Sequence, residues 1–214
     1  MASPAASPVA TPTTAAVEGT KSKMGDGTRR LVLLAGLPGT GKGTAKEHFE
    51  KTHDAVTLSM GDVLRAYIAD DVLPSLTERI VAGMKARLVD PDVVHAVLAH
   101  ACATLPKSAR LVVLDGIPRT EADAEMAARD LAPLFHRTHF VVLSAPDDVL
   151  VRRCISRGRD DSSTEADVRE RIAIERKAFE GVTTGGKLAE WQVNIDADCS
   201  TEEILARIDT ALGM

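Results

Sequence analysis

The sequence predicts a doubly wound α/β fold, with a parallel five-stranded sheet covered by helices on both faces. Three observations lead there. Beyond Arg30, short solid apolar runs alternate with longer amphipathic stretches. The first run passes directly into a Gly-rich turn that opens a helical pattern. Between Met60 and His100 several helical segments follow one another with no strand among them, which predicts a helical insert at one sheet edge. Solid Val/Leu/Ile runs suit strands buried on both faces, and right-handed helical crossovers connect such strands.

Residues 1–29 come first, rich in Ala, Pro, Thr and Ser; this composition buries too little apolar surface to offset the entropy of ordering and predicts a disordered tail. The first strand is Leu31–Ala35, and a helix over Thr44–Lys51 follows the turn. Ala55–Leu58 is the second strand, Leu111–Leu114 the third, Phe140–Leu143 the fourth and Trp191–Ile195 the fifth. Another helix begins near Thr164, and no internal repeat interrupts the series.

Composition narrows the function. The 214 residues carry 26 Lys and Arg against 31 Asp and Glu, a formal charge of −5, and six aromatic side chains. A coat for nucleic acid needs a basic surface to neutralise phosphates and aromatic platforms for bases, so that class is excluded. No apolar run approaches the ~18 residues of a membrane helix. Three widely spaced cysteines, Cys102, Cys154 and Cys199, fit neither a disulfide framework nor a four-thiolate zinc site. They predict reduced thiols and a cytoplasmic protein, with an organelle address in the tail left open.

The turn Gly36-Leu37-Pro38-Gly39-Thr40-Gly41-Lys42-Gly43-Thr44 lies between strand and helix, as a P-loop does. In that setting successive backbone N–H groups face an anion, the helix N-terminus adds its positive pole, and Lys42 reaches the outer phosphates. Gly43 stands where the general P-loop has a magnesium-binding Ser or Thr, so the metal must be held differently. Asp115 ends an apolar strand, where a carboxylate without a cation is costly.

The form GLPGTGKGT resembles the P-loop of the adenylate kinase family, and further segments agree with it in order. Ser59-Met60-Gly61-Asp62-Val63-Leu64-Arg65 resembles that family's monophosphate segment, Arg87-Leu88-Val89-Asp90-Pro91 the end of the same lobe, and Asp115-Gly116-Ile117-Pro118-Arg119-Thr120 the signature after the third strand. Arg153, Arg157, Arg159 and Arg171 resemble the arginines around a mobile lid. The resemblance implies a P-loop kinase domain over 30–214, with a monophosphate-binding insert over about 59–89 and a minimal lid over about 156–164. It implies catalytic roles for Lys42, Arg119, Arg157, Arg159 and Arg171. ATP would lie on Gly36, Gly39, Thr40, Gly41, Lys42, Gly43, Thr44, Arg153, Arg157 and Cys199, with Arg153 stacking on the adenine. The monophosphate would lie on Met60, Arg65, Arg87, Leu88, Val89, Gly116, Arg119 and Asp123. Magnesium, as Mg-ATP, would be held through water by Asp115, while Asp62 either helps that ion or caps the helix beginning near Val63. The lid is too short to carry zinc, so no structural zinc is expected, and the protein is expected to be a monomer acting on small nucleotides.

Met60 and Asp123 depart from the adenylate members, which have Thr and Gln there. A carboxylate accepts hydrogen bonds and donates none. Asp123 therefore either pairs with the two adjacent donors of guanine, accepts one amino group, or points to solvent while the backbone reads AMP. The resulting expectation is a nucleoside monophosphate kinase acting on AMP, with CMP, UMP or GMP as the alternative acceptor and a non-catalytic nucleotide sensor as the alternative class. A P-loop GTPase would need an Asn-Lys-x-Asp segment, which the sequence lacks.

Overall fold

The computed structural model describes residues 29–106, 108–157, 164–183 and 186–214. Residues 1–28 of the predicted tail, most of the predicted lid and Arg159 lie outside the described residues. The sheet runs β1 (Arg30–Gly36), β2 (Val56–Ser59), β3 (Leu111–Asp115), β4 (Arg137–Ser144) and β5 (Gln192–Asp196). All neighbours pair in parallel, in the order β2-β3-β1-β4-β5. The strand order reverses at β1, which opens a crevice beyond the carboxyl ends of the strands, where ligands of such sheets bind.

Alternate residues of β1 serve opposite layers. Leu31, Leu33 and Ala35 pack with Val93, Val97 and Leu98 of α4 (Pro91–Ala103) and with Met60 and Leu64 of α2 (Met60–Ala69). Val32 and Leu34 pack with Ala45 and Phe49 of α1 (Lys42–His53) and with Ile204, Ile208 and Leu212 of α8 (Thr201–Leu212). Each fully buried Leu, Val, Ile or Phe among them stabilises the fold by about 1.5–3 kcal/mol, so these two layers hold the sheet between them.

The insert is helical as expected: α2, a 3-10 turn at Pro74–Leu76, α3 (Thr77–Lys85) and α4. It follows edge strand β2. Helix α5 (Glu121–Met126) continues through a π turn at Ala127–Leu131; α6 (Asp147–Arg157) and α7 (Glu165–Thr183) complete the element order.

The solid-run reading holds for the three inner strands and is relaxed at the edges, where β2 and β5 are covered only in part. It also starts β4 three residues late. Arg137, Thr138 and His139 belong to the strand, and Thr138 and His139 are buried despite their polarity. Pairing with β1 recruits them, because Arg30, Leu31 and Val32 need strand partners in register.

Candidate active site

The strands deliver three loops to one crevice. β1 ends at Gly36 and runs into the phosphate turn, β2 ends at Ser59 and runs into α2, and β3 ends at Asp115 and runs into Gly116–Arg119. Gly39 (φ 87) and Gly41 (φ 94) take the left-handed backbone that an L side chain resists. A Cβ on Gly39 would stand 2.7 Å from the Leu150 carbonyl of α6. Thr40 is buried, and its hydroxyl donates to the Leu37 carbonyl at 2.8 Å, so it ties the turn together instead of facing the crevice.

Lys42 Nζ donates to the carbonyls of Gly36 (2.6 Å) and Leu37 (3.1 Å). Burial lowers its pKa; Asp115 and Glu175 oppose that, while Arg119 and Arg171 add to it. Asp115 is the reciprocal case. Burial raises its pKa against the attraction of Lys42, Arg119 and Lys46, and its Oδ1 is buried without a hydrogen-bond partner. Where the general P-loop has a hydroxyl residue, a Cβ on Gly43 would meet Arg157 Nη2 at 2.9 Å: the guanidinium covers that position.

Two cavities meet in the crevice. One, of about 290 Å³, is walled by Gly39, Gly41, Lys42, Gly43, Asp62, Asp115 and Arg157. The other, of about 430 Å³, is walled by Met60, Arg87, Leu88, Val89 and Asp123. Gly61, Arg65, Gly116, Arg119, Arg171 and Glu175 belong to both walls. Gly36 lies between them, in a small recess with Lys42, Arg87 and Leu88. Three guanidiniums thus stand where the cavities join. Arg119 Nε is held by the Gly116 carbonyl at 3.1 Å, Arg171 Nε by Glu175 at 3.0 Å, and Arg65 by Asp62.

Three sequence expectations need correction or completion. Asp62 does not cap a helix starting near Val63. α2 begins at Met60 with Ser59 at its N-cap, and Asp62 sits in the first turn, paired with Arg65 and 3.9 Å from Lys46. Burial works against its charge, but Arg65, Ser59 and Lys46 outweigh it and hold the carboxyl below its ordinary value.

Asp123 does not point to solvent. It is 3% exposed, and its Oδ2 accepts from the backbone N–H of Arg119 (3.0 Å) and Thr120 (2.9 Å), while its own N–H donates to Thr120 Oγ1 (3.2 Å). This capping box fixes the start of α5 and leaves Oδ1 buried and unpartnered. The third is a completion, on the donor side. Arg153 donates to the carbonyls of Ala197 (2.7 Å) and Cys199 (2.9 Å), so those two residues are brought together, but neither wall includes them, Thr40 or Thr44.

Glu175, Lys46 and Cys154 line the first cavity and were missed from sequence. The i, i+4 pair Arg171–Glu175 on one helix was the available signal for Glu175; the other two carry none.

A family model described as an AAA domain matches residues 35–169. The chain is 32% identical over 186 residues to the adenylate kinase of Synechococcus sp. (strain WH7803), covering 86% of this chain and 99% of that relative. The chain belongs to the adenylate kinase family. Adenylate kinases of Corynebacterium glutamicum (strain R) and Thermus thermophilus are 34% and 32% identical, each aligned over 86% of this chain and covered for 99% and 98% of their length. In the described residues of this family member, no helix is long and apolar enough to cross a membrane.

Proposed function

We propose that the chain is an ATP:AMP phosphotransferase that converts ATP and AMP reversibly into two ADP. The observation that carries this reading is the shared wall: Arg65, Arg119 and Arg171 border both the cavity at the phosphate turn and the cavity at Asp123. Phosphoryl transfer asks a protein for alignment and positive charge, because the transition state spreads charge over oxygens and needs little covalent help. A phosphate oxygen of AMP attacks the terminal phosphorus of ATP, the bond to the bridging oxygen breaks, and ADP departs on the other side. Lys42 and Arg157 hold the ATP phosphates, Arg65 the acceptor phosphate, and Arg119 and Arg171 the group in transit.

Asp115 fits a hydrated magnesium ion, since its buried, unpartnered Oδ1 needs a cation or a cation's water and Gly43 offers no hydroxyl. Asp62 lines the same cavity and would hold another of the ion's waters. The ion would supply charge neutralisation on the phosphates.

On the acceptor side, Asp123 has one free oxygen because the helix cap occupies the other. A single acceptor suits the exocyclic amino group of adenine and lacks the second oxygen that a bidentate pair with guanine needs. Met60, Arg87, Leu88 and Val89 form the remaining wall. The proposed organisation is a kinase domain over 30–214, with the insert over 59–89, the lid over 156–164 and a tail over 1–29, working as a cytoplasmic monomer on free nucleotides. A coupled turnover assay with ATP and AMP, dAMP, CMP, UMP or GMP tests this reading. AMP should be the fastest acceptor, and GMP or UMP surpassing it would overturn the assignment.

A further inference from the structure

Three side chains that phosphoryl transfer does not use converge where α8 meets α1, and none of them lines either crevice cavity. His48 Nε2 lies 3.0 and 2.9 Å from the two carboxylate oxygens of Asp209, and His53 Nε2 lies 3.0 Å from Asp209 Oδ1. One ligand atom from each of the three lies within 4.8 Å of the others. The histidines are five apart on α1, a spacing that does not share a helix face. His53 reaches the group because it is the last helical residue, with Asp54 beyond it in a left-handed conformation. Asp209 comes from the last turns of α8, which packs on α1 through Phe49, Ile208 and Leu212.

We propose that His48, His53 and Asp209 bind one divalent transition-metal ion of the zinc, cobalt or nickel type, which clamps the C-terminal helix to the helix bearing the phosphate turn. Two imidazoles and a carboxylate form a donor set suited to such ions and poorly suited to magnesium, which prefers oxygen. Bonds of about 2.0–2.2 Å to a common tetrahedral ion put neighbouring donor atoms about 3.4 Å apart, near the His–Asp separations already present. With no ion bound each Nε2–H donates to Asp209; binding shifts each ring's proton to Nδ1 and leaves the Nε2 lone pair for the ion. Thr52 Oγ1 stands 3.3 Å from His48 Nδ1 and serves both states: a hydroxyl can donate to the bare nitrogen or accept from its N–H, the kind of outer contact that orients a ligating histidine. The three side chains keep between 17% and 26% exposure, enough for entry and for water in the open coordination positions. The expectation of no structural zinc came from the few cysteines and the minimal lid, whereas this site uses imidazoles. Its histidines lie roughly 9 and 16 Å of helix rise from Lys42, so it is a structural clamp and not part of the transfer chemistry.

The test uses the full chain, without a histidine tag and stripped by chelator, titrated with Co²⁺ and followed by visible absorption, then displaced by Zn²⁺. One equivalent should bind. Zn²⁺ at a hundredfold over its Kd should raise Tm by about 5 °C or more, and Mg²⁺ should not substitute. His53→Gln and Asp209→Asn should each weaken Co²⁺ binding at least tenfold and remove the shift, while turnover with Mg-ATP and AMP stays within twofold. Equal Co²⁺ affinity in both variants would mean that thiols bind the ion, and no binding at 1 mM would leave a hydrogen-bonded trio; either result overturns the proposal. Because the readouts are absorption and melting, failure of the kinase reading would leave this result intact.

Discussion

Replacing Asp115 by Asn should make the protein more stable and less active, and the two effects have one origin. Burial raises the Asp115 pKa despite Lys42, Arg119 and Lys46. The net direction already includes those attractions, so ionising this carboxyl costs the folded state more than it returns. Its Oδ1 has no partner to offset that cost, and a buried polar group left unsatisfied costs about 1–3 kcal/mol. For a domain of this size each kcal/mol moves Tm by roughly 2–4 °C, so Asp115→Asn should melt roughly 2–12 °C higher near pH 7.5 in the absence of nucleotide and metal. The sign follows from linkage. A carboxyl with a raised native pKa contributes stability that is fully present below its unfolded value, about 3.9, and is lost as pH rises through the native value. The gap between variant and wild type should therefore be small near pH 4 and open on the way to neutrality. Turnover should move the other way, falling about 100-fold or more with the loss of a group that holds charge against the phosphates. Calorimetric melts from pH 4 to 8 beside a coupled assay measure both. A variant less stable than wild type at pH 7.5, or a gap that is constant with pH, would refute the reasoning.

Lys42→Met should lower turnover about 100-fold or more, because a charge contact to the transferring group is lost, while the melt stays cooperative; retention of a tenth of the rate would contradict the lysine's role. Asp123→Gln places a donor beside the base while a Gln at that helix position can still reach back to the cap N–H. The AMP-to-GMP ratio of kcat/KM should rise roughly tenfold, about 1.4 kcal/mol, and an unchanged ratio in the assay panel would separate Asp123 from base recognition. Gly39→Ala should destabilise by more than the ~1 kcal/mol of left-handed strain, since its Cβ would press on the Leu150 backbone, and denaturant unfolding at wild-type stability would show that α6 yields instead.

The crevice was readable from sequence wherever function is written into backbone. Gly36–Thr44 announces its turn through glycine spacing, and the solid runs around it announce parallel strands. Asp123 shows where such reading stops. Its residue type suggested a choice between base and solvent, but the carboxylate's two oxygens differ, one capping α5 and one buried without a partner, and only coordinates reveal such a division. The polar start of β4 was hidden for a related reason: Thr138 and His139 are strand residues because β1 pairs with them, not because of their own preference. The convergence of His48, His53 and Asp209 depends on where two distant helices cross, and no local pattern in either segment contains it.

The Lys42 ammonium is never idle. Without a nucleotide it is engaged by two dipoles of its own loop, the Gly36 and Leu37 carbonyls. A ligand must supply something stronger than an amide oxygen to draw the lysine away, and a full anionic charge does so where a neutral hydroxyl cannot. The loop thereby acts as a built-in competitor that filters by charge, so unphosphorylated nucleosides, abundant or not, gain little hold on the turn. It also fixes what the carbonyls do next. Once released, they lose that donor, so drawing the lysine to a ligand costs the turn two hydrogen bonds that the ligand's charge has to outweigh.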